Sequence, residues 1–278
     1  MSTQAPESMS AEERASLVRA HLAVTPRDDV LVATAPDWFG PVLFGGFVLA
    51  QAVAAATHAA PPGRRLHSLH AYFLRPVAGG EEVRYQNEVV RVGRTFSTTA
   101  LRAEQNGKPV LTMTFSFTDD GDGDRDGYVY DLGAIGTGVP LPEDVEVGDG
   151  PPPWEAAGIG PSDPARDGTR ESTHRMWFRV PAPLPDDPHL HTALMAYATD
   201  WTGVGGRPLH LEGDTQGMIS LDHAAWFHRP ANVNEWHFYD VQSLVNAGGR
   251  GLVRGVVRDR EGRVVASMAQ EMLLIPPA

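Results

Sequence analysis

One motif occurs twice in the sequence. Residues 66–76 read LHSLHAYFLRP and residues 220–230 read SLDHAAWFHRP, so the Arg-Pro pairs that close the motif are 154 residues apart. Glycines further along match with an offset of 155, namely Gly93 with Gly248 and Gly107 with Gly262. A repeat unit of about 100 residues is too long for a solenoid, whose periods run from about 20 to 50 residues. The sequence therefore predicts two fused copies of one domain.

The segment between the copies has a different composition. Residues 118–170 hold 13 Asp or Glu against 3 Arg, with 11 Gly and 7 Pro, and so carry most of the net charge of −12. This composition predicts an irregular connector, in which residues 139–145 and 151–158 dock through a few apolar side chains. We therefore predict a first copy over residues 1–117 and a second copy over residues 171–278. The acidity belongs to the connector, and no basic stripe indicates a nucleic-acid partner.

Within the connector, residues 122–127 read DGDRDG and imitate the start of a calcium-binding loop. The twelfth position of such a loop needs a bidentate Glu, but it falls on Gly133, and no helical pattern flanks the segment. We expect a solvated acidic loop.

Cysteine content and hydropathy bound the class of protein. The chain has no cysteine, which excludes disulfides, thiolate metal sites and a cysteine nucleophile. The longest uncharged stretch, residues 39–60, contains glycines, Gln51 and His58, so a buried helix is favoured over a membrane span. The opening MSTQAPESMSAEERA lacks the basic and apolar regions of a signal peptide. We expect a cytoplasmic protein without a membrane span.

The same order of elements is predicted in each copy. A capping box at residues 10–13 begins an amphipathic helix that runs through about His21. A helix that is apolar on every face follows over about residues 45–57, and its counterpart in the second copy covers residues 191–201. Alternating strands follow each of these two helices, one of them over residues 217–229, and Asn106-Gly107 is expected to turn one hairpin. A helix wrapped by a curved antiparallel sheet is an α+β hotdog fold, so the chain is predicted to be a double hotdog.

Several segments carry a resemblance to a known family. They are GGFVLAQAVAAA, HSLHAYFLRP, QNGKPVLTMTFSF, LDHAAWFHRP and RGLVRGVVRDREGRVVASMAQE. In order and spacing the chain resembles the acyl-CoA thioesterase II (TesB-like) family from about Asp37 to Leu274, apart from a connector that is long and acidic. The resemblance implies hydrolysis of fatty acyl-CoA thioesters. It also implies a catalytic trio at Asp200 in AYATDW, Ser220 in ISLDH and Gln270 in MAQE.

The sequence pattern supports a polar site at these residues independently of the family. Gln270 lies in an otherwise apolar alternating row, which also contains Ala266, Met268, Met272 and Leu274. Asp200 shares a helical stripe with small residues that are expected to face the sheet. Buried polar groups need hydrogen-bond partners. Structural interpretations stay open: Asp200 as a cap of its helix, Ser220 as a satisfied strand hydroxyl, and Gln270 as a bridge to the backbone.

The repeat provides an internal comparison. With the offsets above, Ser220 corresponds to Leu66 and Gln270 corresponds to Phe115. The first copy is apolar at both positions. We therefore expect one active site per chain, carried by the second copy, and a structural role for the equivalent part of the first.

The chemistry follows from the residue types that are present. Without a cysteine, a G-x-S-x-G elbow or a cluster of metal ligands, the sequence indicates neither a covalent nucleophile nor a metal-bound hydroxide, so water is the expected nucleophile. We expect Asp200 to act as general base or orienting acceptor, with a pKa raised by desolvation, while Ser220 and Gln270 fix the water. Helix or loop amides would polarise the thioester carbonyl. No cofactor is expected.

The histidines offer a competing interpretation. His67 with His70, and His189 with His191, could be read as metal-binding pairs, but neither pair has a third ligand, and structural roles are favoured.

Two alternative functions stay open. One is a hotdog hydratase or dehydratase acting on acyl thioesters, which would use a His such as His223 with an acidic residue. The other is a non-catalytic acyl-CoA binding module. The sequence leaves open the acyl chain length, the choice between CoA and a carrier protein, and whether the chain forms a homo-oligomer.

Overall fold

The computed structural model describes residues 9–119, 139–159, 173–201 and 217–275. These residues contain three α-helices: α1 Ala11–Leu22, α2 Gly45–Thr57 and α3 Pro188–Thr199. None of the helices in this part of the chain is long and apolar enough to cross a bilayer.

The helix predictions are confirmed, with one shift in position. In α1 the predicted capping box is present, because Ser10 Oγ accepts a hydrogen bond from the Glu13 amide and the Glu13 carboxylate accepts one from the Ser10 amide. Helix α3 begins three residues before its predicted start and ends at Thr199. It begins early because the Asp187 side chain caps its first turn and a proline, which has no amide to satisfy, occupies its first position.

Strands account for most of the remaining described residues. Those of the first copy are β1 Thr25–Arg27, β2 Val30–Thr34, β3 Arg65–Phe73, β4 Glu82–Val92, β5 Phe96–Gln105 and β6 Lys108–Thr118. Those that follow are β7 Gly148–Asp149, β8 Glu155–Gly158, β9 Thr173–Arg179, β10 Gly217–Ser220, β11 Asp222–Phe227, β12 His237–Ala247, β13 Arg250–Arg258 and β14 Val264–Ile275. The predicted hairpin turn at Asn106-Gly107 is confirmed by positive φ angles of 53° and 70°.

The strands form one antiparallel sheet in the order β1-β2-β4-β5-β6-β3-β11-β14-β13-β12-β9-β8-β7, and β10 also pairs with β14. The two copies meet in the middle, where β3 pairs with β11 and His70 lies opposite Ala224. These two residues are 154 positions apart, so they are equivalents under the repeat, and the sheet has a pseudo-two-fold axis between them. Together with one central helix in each half, this is the predicted double hotdog.

The central helices α2 and α3 pack closely at one end. A Cβ atom on Gly46 would lie 2.5 Å from the backbone oxygen of Tyr197, a distance that only glycine permits. The start of α2 therefore lies beside the end of α3. Residues from the two copies meet at this point.

Part of the predicted connector is folded against the second copy. Strands β7 and β8 extend the sheet beyond β9. The Trp154 side chain is fully buried and packs on the rings of Phe178, Tyr197 and Trp201. The acidic loop at 122–127 lies outside the described residues, and the boundaries at 118 and 170 stay a prediction.

One predicted strand is interrupted. The sequence pattern indicates a single strand over residues 217–229, but β10 ends at Ser220 and β11 starts at Asp222. Ser220 lies opposite Met272, whereas Ala224 lies opposite Ala269, so four steps along one strand match three along β14. This is a β-bulge, and the Asp222 carboxylate accepts the amide of Glu271 at 2.8 Å beside it.

The first copy shows an irregularity at the equivalent place. The register of β3 on β6 shifts between Leu66 and Ser68, which correspond to Ser220 and Asp222. The bulge is therefore a shared feature of the repeat.

Candidate active site

Asp200 lies at the C-cap position of α3, and only 2% of its surface is exposed. Its carboxylate faces the start of α2, because a Cβ atom on Gly45 would lie 2.7 Å from Asp200 Oδ2. A carboxylate only accepts hydrogen bonds, whereas the end of a helix presents carbonyl groups that need donors. The Asp200 side chain therefore does not cap its own helix, and it faces the partner helix of the other copy.

Burial raises the pKa of the Asp200 carboxyl from its usual 3.8 to about 7. Hydrogen bonding from Gln270, and the nearby Gly46 amide and Ser220 hydroxyl, offset part of this effect because they favour the ionised form. The result is a carboxyl group that changes charge near neutral pH. General bases need a pKa in this range.

Gln270, on the buried face of β14, is the centre of the cluster. Its Nε2 donates hydrogen bonds to Asp200 Oδ1 and to Ser220 Oγ, each at 2.7 Å. Its Oε1 lies 2.9 Å from His223 Nδ1. The structure therefore brings together all three residues predicted from the sequence, and the buried amide finds the polar partners that the alternating pattern requires.

The bulge explains how Ser220 reaches this cluster. Residues three apart in a regular strand point to opposite faces of the sheet. Ser220 and His223 nevertheless both contact the side chain of Gln270. The extra residue between β10 and β11 resets the alternation, so both side chains reach the same face.

Two parts of the cluster were not predicted from the sequence. Thr199 Oγ1 lies 3.0 Å from His223 Nε2 and 2.8 Å from the carbonyl oxygen of Ala196. Gly45 and Gly46 bring the first turn of α2 to the Asp200 carboxylate. The glycines could have been found from the sequence, since two successive glycines begin an otherwise apolar helix. Nothing in the local pattern singles out Thr199.

His223 is fully enclosed in the cluster. Burial lowers the pKa of its imidazole to about 4, although the hydrogen bond with Gln270 partly offsets this effect. His223 is therefore neutral at physiological pH, and both ring nitrogens face hydrogen-bonding neighbours. Its distance of 4.0 Å from Asp200 Oδ1 is not an ion pair.

The equivalent positions of the first copy form an apolar core. Leu66, Leu69 and Phe115 correspond to Ser220, His223 and Gln270, and each is at most 2% exposed. The comparison extends the apolar substitution predicted at two positions to a third, at Leu69.

The histidines that could be read as metal-binding pairs have other contacts. His67 Nε2 lies 2.7 Å from the Ser116 hydroxyl, and the His70 ring packs edge-on against Trp226. His191 Nδ1 accepts the amide of Val233. Across the residues that the structure describes, no group of three His, Asp or Glu side chains is arranged to hold a metal ion.

Two cavities lie near the helices. One, of about 370 Å³, lies between the end of α2 and the start of α3, and another, of about 300 Å³, is lined by Trp38, Phe39 and residues 149–152. Neither is lined by the Asp200 cluster. Residues 202–216, which link Asp200 to β10, lie outside the described residues.

Two hotdog copies in one continuous sheet, with an Asp-Gln-Ser cluster where their helices meet, define a tandem hotdog protein. Comparisons with known proteins identify the family. Residues 34–118 match the model of the acyl-CoA thioesterase N-terminal domain, and residues 136–274 match that of the acyl-CoA thioesterase C-terminal domain. The chain belongs to the acyl-CoA thioesterase family, as the resemblance predicted.

Individual relatives cover most of the chain. Acyl-CoA thioesterase 2 of Haemophilus influenzae is 31% identical over 253 residues, which span 84% of this chain and 87% of the relative. Human acyl-coenzyme A thioesterase 8 is 28% identical over 93% of this chain and 88% of its own length. The crystal structure of acyl-CoA thioesterase II TesB2 from Mycobacterium marinum superposes with a TM-score of 0.78 at 30% identity, and covers 94% of this chain and 99% of that chain.

Proposed function

We infer that this chain is an acyl-CoA thioesterase, which hydrolyses fatty acyl-CoA to the free fatty acid and CoA by direct attack of water. The observation that carries the proposal is the buried Asp200 carboxylate. It is held by Gln270 beside the N-terminus of α2, in a chain of the acyl-CoA thioesterase family.

Asp200 is proposed as the base that activates water. Its Oδ1 is occupied by Gln270, while Oδ2 has no hydrogen-bond partner among the described residues. A pKa near 7 leaves a substantial fraction ionised at neutral pH, and the ionised carboxylate accepts a proton from water. The Ser220 hydroxyl, which accepts from Gln270, has its own proton available to orient the same water.

The start of α2 is proposed as the site that polarises the thioester. The first amides of a helix lack intrahelical acceptors and carry a partial positive charge. The first turn of α2, at Gly45 and Gly46, has no side-chain cap. A carbonyl oxygen placed there would be stabilised as its negative charge develops.

The reaction steps are balanced by these groups. Water adds to the thioester carbonyl carbon as Asp200 takes its proton, and the resulting oxyanion is stabilised by the amides of α2. The carbon–sulfur bond then breaks, and the departing thiolate takes up the proton from Asp200. The first copy would thus contribute the helix start, and the second would contribute the base, in a single site.

The hydratase alternative needs a histidine that exchanges protons with the substrate. His223 is a poor candidate, because both of its ring nitrogens face protein partners and burial lowers its pKa to about 4. A non-catalytic binding module would not need a base with a pKa matched to neutral pH. A cytoplasmic location and a homo-oligomer remain predictions from the sequence.

Release of free thiol from acyl-CoA tests the proposal. The purified chain is incubated with a series of saturated acyl-CoA esters of increasing length, and CoA-SH is measured with a thiol reagent. A thioesterase liberates CoA-SH from at least one member. A hydratase instead changes the absorbance of an enoyl-CoA, and a binding module does neither. Either of these last two outcomes would overturn the proposal.

A further inference from the structure

We propose that His223 is a positioning residue, which donates from Nδ1 to Gln270 Oε1 and so sets the orientation of the Gln270 amide. This inference rests on the proposed function, because it explains how Asp200 is held ready for water. It gives His223 a role through Gln270, without contact to the substrate.

The two protons of the Gln270 amide determine which nitrogen of His223 carries a proton. Nε2 has two protons, and they are directed to Asp200 Oδ1 and Ser220 Oγ. Oε1 only accepts, and it faces His223 Nδ1 at 2.9 Å. Nδ1 must therefore carry the proton. If the amide were turned over, Oε1 would face the Asp200 carboxylate at 2.7 Å, and two acceptors would oppose each other.

The second ring nitrogen of His223, Nε2, lies beside Thr199. In a neutral ring with its proton on Nδ1, Nε2 has a lone pair and accepts a hydrogen bond. The Thr199 hydroxyl lies 3.0 Å from Nε2 and 2.8 Å from the Ala196 carbonyl oxygen, so in this tautomer its single proton is shared between two acceptors. The carbonyl of Thr199 accepts from the Tyr239 hydroxyl at 2.6 Å, which holds this residue in place.

These contacts form a closed circuit. Thr199 directly precedes Asp200 in the chain, so the path runs from Asp200 to Gln270, to His223, to Thr199 and back to Asp200 through the backbone. Because every member is buried, a wrong tautomer or a turned amide would leave a polar group unsatisfied. Beside the ionised carboxylate, the arrangement that satisfies these groups is the one in which the amide donates to Asp200.

The equivalent position of the first copy shows that packing alone does not require an imidazole at position 223. Leu69 is the counterpart of His223 in the first copy, and it is fully buried without any polar partner. An apolar side chain therefore fills this position where Gln270 is replaced by Phe115. The imidazole occurs where the amide needs a donor.

A pair of amide variants tests the contact. The side-chain nitrogen of Asn takes the place of Nδ1, whereas that of Gln takes the place of Nε2. We expect His223→Asn to keep most of the wild-type kcat, because it can still donate to Gln270. We expect His223→Gln to lower kcat by about tenfold to a hundredfold, as misplacement of a catalytic group does, with KM changed less than about threefold. Leu69→Met, at the matched position, should leave kcat unchanged.

Nitrogen NMR of the wild-type protein provides a readout that does not depend on activity. We expect the ¹⁵N spectrum of His223 at neutral pH to show a protonated Nδ1 and an unprotonated Nε2, with the His223→Asn spectrum providing the assignment. Thr199→Val, which removes the donor, should shift the Nε2 signal.

Protonated Nε2 in the wild type, or a His223→Gln variant with wild-type kcat, would overturn the inference. Failure of the proposed function is distinguished by Asp200→Asn, which would then retain wild-type thiol release whatever the tautomer of His223.

Discussion

Gln270 Nε2 donates a hydrogen bond of 2.7 Å to Asp200 Oδ1, although the two residues are 70 positions apart and both are buried. This bond fixes one oxygen of the carboxylate and leaves the other directed toward the start of α2.

Replacing Asp200 by Asn keeps the size of the side chain but removes the base. We expect kcat for acyl-CoA hydrolysis to fall by about 10² to 10⁴, the usual contribution of a general base, with little change in substrate binding. The measurement is thiol release together with substrate affinity. Asp29→Asn, at an exposed position, is the control and should behave as wild type. Undiminished turnover by folded Asp200→Asn would show that water is activated elsewhere.

The rate should depend on pH through Asp200. Only the ionised carboxylate accepts a proton, so kcat/KM should rise with pH and reach half of its maximum near the Asp200 pKa of about 7. His223, with a pKa lowered to about 4, stays neutral over this range. A pH–rate profile of the wild type gives the apparent pKa. A flat profile across neutral pH would contradict the assignment.

The stability of the fold should also depend on the ionisation of Asp200, but it should fall with rising pH whereas the rate rises. The pKa of Asp200 is higher in the folded chain than its usual 3.8, so the folded state retains a proton that the unfolded state loses, and stability falls as pH rises from about 4 to 7. Asp200→Asn has no such ionisation. Between about pH 5 and pH 8, the difference in free energy of unfolding between Asp200→Asn and wild type should therefore shift by roughly 2 to 3 kcal/mol in favour of the variant. Urea denaturation at each pH measures this difference. A constant difference would mean that Asp200 titrates near its usual pKa.

Gly45 should tolerate no side chain at the start of α2. The Cβ atom of Gly45→Ala would lie 2.7 Å from Asp200 Oδ2 and 3.3 Å from the Phe73 ring, so the carboxylate must move. We expect kcat to fall by about tenfold or more, since small displacements of a catalytic group are costly. In Gly158→Ala, the added methyl meets no atom within 4 Å, and this variant is the matched control. Equal kcat values in the two variants would show that Gly45 is not part of the site.

The repeat allows a paired test of Gln270. Gln270→Leu removes the donor to Asp200 and leaves buried partners unsatisfied, so both kcat and stability should fall. Phe115→Leu, at the equivalent position, should cost about 1 kcal/mol of stability through looser packing and leave kcat unchanged. Kinetics and thermal unfolding of both variants provide the comparison. A similar loss of kcat in Phe115→Leu would argue against a single site.

Much of the fold could be predicted because local periodicity follows from which faces are buried. In β14 the alternating row through Gln270 is buried as predicted, and α2 is apolar all round because other elements enclose it. The offsets of 154 and 155 residues were enough to predict the duplication and the apolar counterparts Leu66 and Phe115. These features depend only on residue order.

The candidate site needed the tertiary structure. The alternating pattern predicts one strand across Leu221, and with it Ser220 and His223 on opposite faces, whereas the bulge brings both to Gln270. Local sequence did not reveal the bulge, because its extra residue is defined by the partner strand.

The sequence by itself determined the two copies, their strands and helices, and the residue types available for chemistry. Only the tertiary structure placed Asp200 of the second copy against Gly45 of the first, and Thr199 behind His223. The physical reason is that hydrophobic patterning determines which face of each element is buried, but it does not determine how far one element is shifted along its neighbour. Close packing between α2 and α3, which glycine permits, decides which polar atoms meet.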